Sequence, residues 1–169
     1  FVGEARERIR EDVLRLLRFF RLYAYYGTGE ADRAALRACQ EMAPEIAKLS
    51  AERIWSELKL LLRAPAPALV LDLMAGWDVL IHALPEAGSR EPLARLVHVE
   101  TKTATEPDPV RRLSVLLKMD ATGAMAFAGR LRFSNAETQH LRTLVNPPVR
   151  PSADRTDAQN RVVLYWLGE

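Results

Sequence analysis

Apolar side chains recur with a helical period along most of the chain. Over 4–26, at ~100° per residue, Ile9, Val13, Leu16, Leu17, Phe20, Tyr23 and Ala24 share one arc of roughly 120°. Arg8, Glu11, Asp12, Arg15 and Arg18 fall on the opposite side, interrupted by Leu14, Phe19 and Leu22. The pattern predicts one long helix, buried along one stripe and partly covered along a second. Gly27-Thr28-Gly29 stops it. Asp32 is placed to cap a helix over 33–42, and Pro44 suits the first turn of a short helix ending near Leu49. Ser50 caps the next helix, over 51–63, which turns Ile54, Trp55, Leu58, Leu61 and Leu62 toward a core.

Ala64-Pro65-Ala66-Pro67 breaks the pattern. Short helices follow over 68–74, 78–83 and 91–100, with Pro85 and Gly88 in between. Asp108-Pro109 is a cap with proline at the first helical position, opening a helix that runs to about Met119. Asp120 caps a segment over 121–131, and Ser134 with Glu137 forms a capping box for a helix ending at Val145. Pro147, Pro148 and Pro151 make a loop before a last helix over 158–167, capped by Asp157. No stretch alternates with the period of a strand for long enough to form one. The expected fold is all-α: an elongated array of about ten short helices rather than one bundle, divided at the loops into 1–63, 64–120 and 121–169.

Composition adds mostly exclusions. With 169 residues, 49% hydrophobic and 27% charged, the chain is neither disordered nor a coiled-coil rod. The most apolar run, Ala66 to Leu73, contains Pro67 and Asp72 and is far too short to cross a bilayer, so no membrane is expected. A single cysteine, Cys39, allows no internal disulfide, which with the lack of a leader pattern suggests a reducing, cytoplasmic setting. The net charge of +2 is nearly evenly spread, and the basic residues are mostly arginine, suited to planar, bidentate contacts.

Catalytic patterns are missing. There is no Asp-x-Asp for a two-metal centre, no His-Glu-His helix face and no glycine-rich phosphate loop. His82, His98 and His140 are isolated, and Cys39 lies on an amphipathic helix where it packs as a small hydrophobe. Alone, this chain is expected to catalyse nothing and to hold no cofactor.

One segment carries more information: Arg8-Ile9-Arg10-Glu11-Asp12-Val13-Leu14-Arg15, continuing to Arg18. On a helix, Asp12 and Arg15 lie side by side. A carboxylate offers acceptors and a guanidinium a fork of donors, so together they can pair with the Watson–Crick edge of a base. Arg8 and Arg18, a turn to either side, can reach a triphosphate or an RNA backbone. The same residues equally make a solvated face of ion pairs such as Glu11–Arg15.

This stretch resembles the Glu-Asp-x-x-Arg motif of bacterial class II tRNA nucleotidyltransferases, the CCA-adding enzymes, and of the related poly(A) polymerases. Leu49-Ser50-Ala51-Glu52-Arg53-Ile54 with Glu57-Leu58 resembles the family's next neck helix, which buttresses the first. Leu73-Met74, Val79-Leu80 and Ala83-Leu84-Pro85-Glu86 are similar to its body, and Arg130-Leu131-Arg132-Phe133-Ser134-Asn135-Ala136-Glu137 to a tail-proximal segment. The resemblance implies that 1–63 is the neck, 64–120 the body and 121–169 the tail. It implies that Asp12 and Arg15, preceded by Glu11, serve as a protein template for CTP or ATP.

The strand-borne catalytic head of that family has no counterpart here. The expectation is therefore a carboxy-terminal portion, with Mg2+ and the phosphoryl-transfer residues on the head. tRNA is the implied partner, and Arg130, Arg132, Arg142, Arg150, Arg155 and Arg161 are candidate phosphate contacts. Trp55, Trp77 and Trp166 are expected in the core. The apolar end over 162–167 is expected to pack on the tail or to make a homodimer contact. Two alternatives stay open: a poly(A) polymerase portion, and a stand-alone helical RNA-binding adaptor without catalysis.

Overall fold

The computed structural model describes residues 3–117, 119–146, 156, 158 and 159. Among them, ten α-helices and one 3-10 helix follow in order: α1 (Ala5–Glu11), α2 (Leu14–Tyr26), α3 (Arg33–Met42), a 3-10 helix (Ala43–Lys48), α4 (Ala51–Arg63), α5 (Pro67–Gly76), α6 (Leu80–Ala83), α7 (Glu91–Thr103), α8 (Pro109–Ser114), α9 (Ala121–Arg130) and α10 (Asn135–Val145). No strand forms among the described residues; Ala87 and Leu117 make one isolated antiparallel bridge. The expected all-α fold is what the described residues adopt. Of the expected final helix only 158 and 159 are described, both helical; its remainder, Trp166, Arg150, Arg155, Arg161 and the apolar end over 162–167 lie outside the described residues.

Caps set many of the boundaries. The Asp32 carboxylate accepts from the Ala34 N–H, the Ser50 hydroxyl from Arg53, the Asp108 carboxylate from Arg111, and the Asp120 carboxylate from Gly123. Ser134 and Glu137 complete their capping box in both directions.

Three expected helices are shorter than the pattern predicts, the one over 78–83 being reduced to Leu80–Ala83. The helix over 4–26 is broken at Asp12, whose backbone is extended (φ −154°, ψ 109°). The Asp12 carboxylate accepts from the Leu14 N–H at 3.1 Å, and the Arg15 N–H bonds the Asp12 carbonyl at 3.0 Å. Aspartate competes for backbone donors in this way, and here it ends one helix and starts the next. The helix opened by Pro109 stops at Ser114 rather than near Met119, because the Leu116 carbonyl accepts from the Gly88 N–H at 2.8 Å.

A single apolar cluster runs from Ile9 on α1 through Phe20, Leu58, Leu71, Leu93, Leu113 and Phe127 to Leu141 on α10. It continues across the proline break. There Arg112 is buried and donates to the carbonyls of Leu62 (2.6 Å) and Ala64 (2.8 Å), satisfying the open end of α4. Its Nε bonds Glu100 on α7 at 2.7 Å, and Arg111 holds the other Glu100 oxygen at 3.0 and 2.9 Å. Trp55 is a core residue, stacked on Phe133 at 4.3 Å, and Trp77 packs half-buried against the same core.

Candidate functional site

The α1–α2 turn and the outer face of α2 bring most of the expected site residues together. Phe20, Leu16 and Leu17 are buried against the core, which turns Arg15, Arg18 and Leu22 outward and leaves Phe19 half-buried at the core's edge. With Arg8, Tyr23, Tyr26 and Gly27 they line a groove of about 590 Å³.

Glu11 bridges two of these arginines. It accepts from Arg8 Nη1 at 2.9 Å and pairs closely with Arg15, whose Nη1 also donates to the Arg8 carbonyl at 3.2 Å. The hydrogen bond from Arg15 holds the Glu11 carboxyl below the ordinary carboxylate range. The Glu11–Arg15 ion pair is thus present, as a solvated helix face also provides.

Asp12 is not a groove-lining residue. Its carboxylate faces α4, where Arg53 Nη2 reaches both oxygens, at 2.9 and 3.0 Å. Partial burial pushes the Asp12 carboxyl up, but the Leu14 N–H and the Arg53 guanidinium outweigh it and hold it low. Asp12 and Arg15 therefore stay one backbone turn apart, with Asp12 pinned by α4 and Arg15 by Glu11. The expected uninterrupted helical face is replaced by a cap followed by a first turn.

α4 contributes two further residues to the site, Arg53 and Glu57. Glu57 is buried (7% exposed) and accepts from Arg21 Nε at 2.6 Å and from Arg18 Nε at 3.4 Å. An acid on the apolar stripe of α4 is a visible signal, since a buried carboxylate needs a cationic partner. Which arginine answers it, 36 or 39 residues away, is not readable from spacing.

The candidate phosphate contacts lie elsewhere. Arg130 makes a two-pronged pair with Glu86, both bonds 2.7 Å, and its guanidinium sits 5.3 Å from the Phe127 ring centre. Arg132 is exposed, in a left-handed backbone conformation (φ 54°), and Arg142 is exposed in the last turn of α10. None of the three lines the α2 groove.

Other reactive side chains are accounted for structurally. His140 faces Asp108 at 3.3 Å, and burial pushes the Cys39 thiol up to about 12. Among the described residues, no three His, Cys, Asp or Glu side chains group as a metal site, and no helix is long and apolar enough to cross a membrane.

Residues 31–89 match a family model described as a probable RNA- and SrmB-binding site of polymerase A. That range covers α3 to α6, including Arg53 and Glu57. Three relatives extend the match. The mitochondrial CCA tRNA nucleotidyltransferase 1 of Homo sapiens is 36% identical over 122 residues, 70% of this chain and 28% of that protein. The CCA-adding enzyme of Streptococcus sanguinis is 30% identical over 157 residues, 92% of this chain and 39% of that protein. The CCA-adding enzyme of Bordetella pertussis is 36% identical over 87 residues, half of this chain and 23% of that protein. The chain thus spans well under half the length of these relatives.

Proposed function

We propose, from the chain's membership of the CCA tRNA nucleotidyltransferase and poly(A) polymerase family, that it is the tRNA-binding and base-selecting portion of a CCA-adding enzyme. The observation that carries this reading is the match of 92% of the chain to a CCA-adding enzyme. Phosphoryl transfer is mostly positioning and metal electrostatics, so a polymerase can divide the work between a catalytic unit and a unit that selects and holds its substrates.

Asp12 and Arg15 supply the selection. Cytosine and adenine both present an exocyclic amine beside a ring-nitrogen acceptor. A carboxylate accepts from the first and a guanidinium donates to the second. Uracil and guanine carry a carbonyl where the amine would be, and a site built of a fixed acceptor leaves it facing a like partner. The geometry leaves capacity for such a contact. A carboxylate accepts about four hydrogen bonds; Leu14 and Arg53 use Oδ1, and Arg53 alone uses Oδ2. Arg15 spends Nη1 on Glu11 and Arg8, and the rest of its donor fork suits a base. Arg8 and Arg18 flank the turn as phosphate contacts for CTP or ATP, while Arg130, Arg132 and Arg142 are the more distant candidates for tRNA.

The chain should bind tRNA with an affinity that falls linearly, on logarithmic axes, as salt rises. Filter binding or anisotropy across a salt series tests this; no binding, or binding indifferent to salt, contradicts it. A second reading, a poly(A) polymerase portion, is favoured by the polymerase A description of the region over 31–89. Joined to a catalytic domain, only the CCA-adding reading predicts efficient incorporation of C.

A further inference from the structure

α5 carries a single charged side chain, Asp72, among its ten residues. A helix apolar on every side belongs in an interior, and α5 does pack on α2, α4, α6 and α7. Its outer side is nonetheless left open. Leu69 is 71% exposed, the most exposed of the large aliphatic side chains among the described residues.

Beside Leu69 a groove of about 430 Å³ runs between α5 and α7. Pro65, Pro67, Leu69, Ala94 and Val97 line its apolar part. The two prolines fix their own φ angles, so this wall loses little freedom when something packs on it. Single apolar side chains are ordinary on a surface, but a projecting leucine beside an apolar groove with a polar rim marks a contact surface.

The rim says what fits there. Asp72 accepts from Arg90 Nε at 2.7 Å, and Arg90 Nη1 donates to the Gly88 carbonyl at 2.9 Å, which fixes one edge of the groove. On α7, Glu91 and Arg95 face each other at 3.7 Å, both fully in water. Two acids and two bases leave the face without net charge. It offers no net attraction to the phosphates of a nucleic acid or to an anionic membrane. Two like faces of this kind meet without repulsion. The Glu91–Arg95 pair is long and exposed, so it contributes little within one chain and can exchange partners between two.

We propose that the α5–α7 face pairs two copies of this chain about a two-fold axis. In such a contact residue i meets j while j meets i. Leu69 of each copy enters the groove of the other, and Glu91 of each meets Arg95 of the other. The groove shares no residue with the one along α2, and the proposal does not depend on the RNA-binding reading above.

The test is sedimentation equilibrium of the full chain from about 1 to about 200 μM. The parent should show a reversible monomer–dimer equilibrium with a Kd of about 1–100 μM. Leu69→Asp acts twice in a two-fold contact and should weaken pairing about thirtyfold or more. Glu91→Arg and Arg95→Glu should each weaken self-pairing about tenfold. An equimolar mixture of these two should regain the parent's affinity, since each then meets its opposite charge, a recovery that a folding defect would not give. A parent that stays monomeric over the whole range overturns the proposal. So does a mixture that pairs no more tightly than either charge variant alone. A dimer that Leu69→Asp leaves untouched places the contact on another face, such as the apolar end over 162–167, and overturns it too.

Discussion

The Arg53 guanidinium on α4 holds both carboxylate oxygens of Asp12, 41 residues earlier in the chain, at 2.9 and 3.0 Å. This contact ties the turn that carries Glu11, Asp12 and Arg15 to the helix packed beneath it. With the Leu14 N–H, which bonds Oδ1 at 3.1 Å, it fixes the Asp12 side chain at the break between α1 and α2.

Arg53→Gln therefore separates positioning from stability. Both partners are partly exposed, so the loss of the pair should cost only about 0.5–1 kcal/mol in a denaturant melt. In an enzyme that carries this chain with a catalytic domain, preference for CTP and ATP over UTP should drop about tenfold or more. Unchanged preference would mean that Arg53 only props up the fold.

Arg112 is the opposite case. It is buried, neutralises Glu100 and satisfies two carbonyls at the end of α4. Arg112→Met should cost about 2–4 kcal/mol in chemical denaturation, because it leaves two backbone acceptors unpaired and Glu100 held by Arg111 alone. A loss below about 1 kcal/mol would put the pair in the class of surface ion pairs.

Glu137 gives the fold a pH dependence. Burial raises its pKa, but the Ser134 N–H, Lys59, the Trp55 indole and the Ser134 hydroxyl together pull it down, from 4.5 to about 2. A depressed carboxylate stabilises the fold fully above its unfolded value, and that contribution is lost as pH falls through the folded value. Stability should thus decline between about pH 4.5 and pH 2 by about 1–2 kcal/mol from this group. Glu137→Gln should lower stability at neutral pH and flatten that part of the profile. A parallel profile in the variant would assign the acid sensitivity to other groups.

Much of the helix layout is legible in the chain because caps are local. Asp32, Ser50, Asp120 and the Ser134–Glu137 box each mark a helix start that the structure reproduces. The break at Asp12 is not legible from periodicity, since Ile9, Leu16 and Leu17 keep one apolar stripe on both sides of it. There a single carboxylate, bonded to Leu14 and held by Arg53, outweighs helix continuity. The early end of α8 has the same kind of cause, a tertiary bond between Gly88 and Leu116.

The candidate site divides similarly. Glu11, Asp12 and Arg15 stand out as a motif, and Arg8 and Arg18 follow from helical spacing. Their partners Arg53 and Glu57 do not, because pairing across about 40 residues depends on how α2 packs on α4. Phe19 and Leu22 mark themselves as apolar residues on a charged side. What that anomaly forms, a groove with Tyr23 and Tyr26, needs the folded helix.

The most direct test of the central claim is incorporation by a chimera in which residues 3–146 replace the matching segment of the Streptococcus sanguinis CCA-adding enzyme. With tRNA lacking its terminal nucleotides, the chimera should add C and A and reject U. Asp12→Ala or Arg15→Ala should cut the preference for C and A over U about a hundredfold, with circular dichroism unchanged. If either variant adds C and A with the parent's selectivity, these two side chains do not read the base.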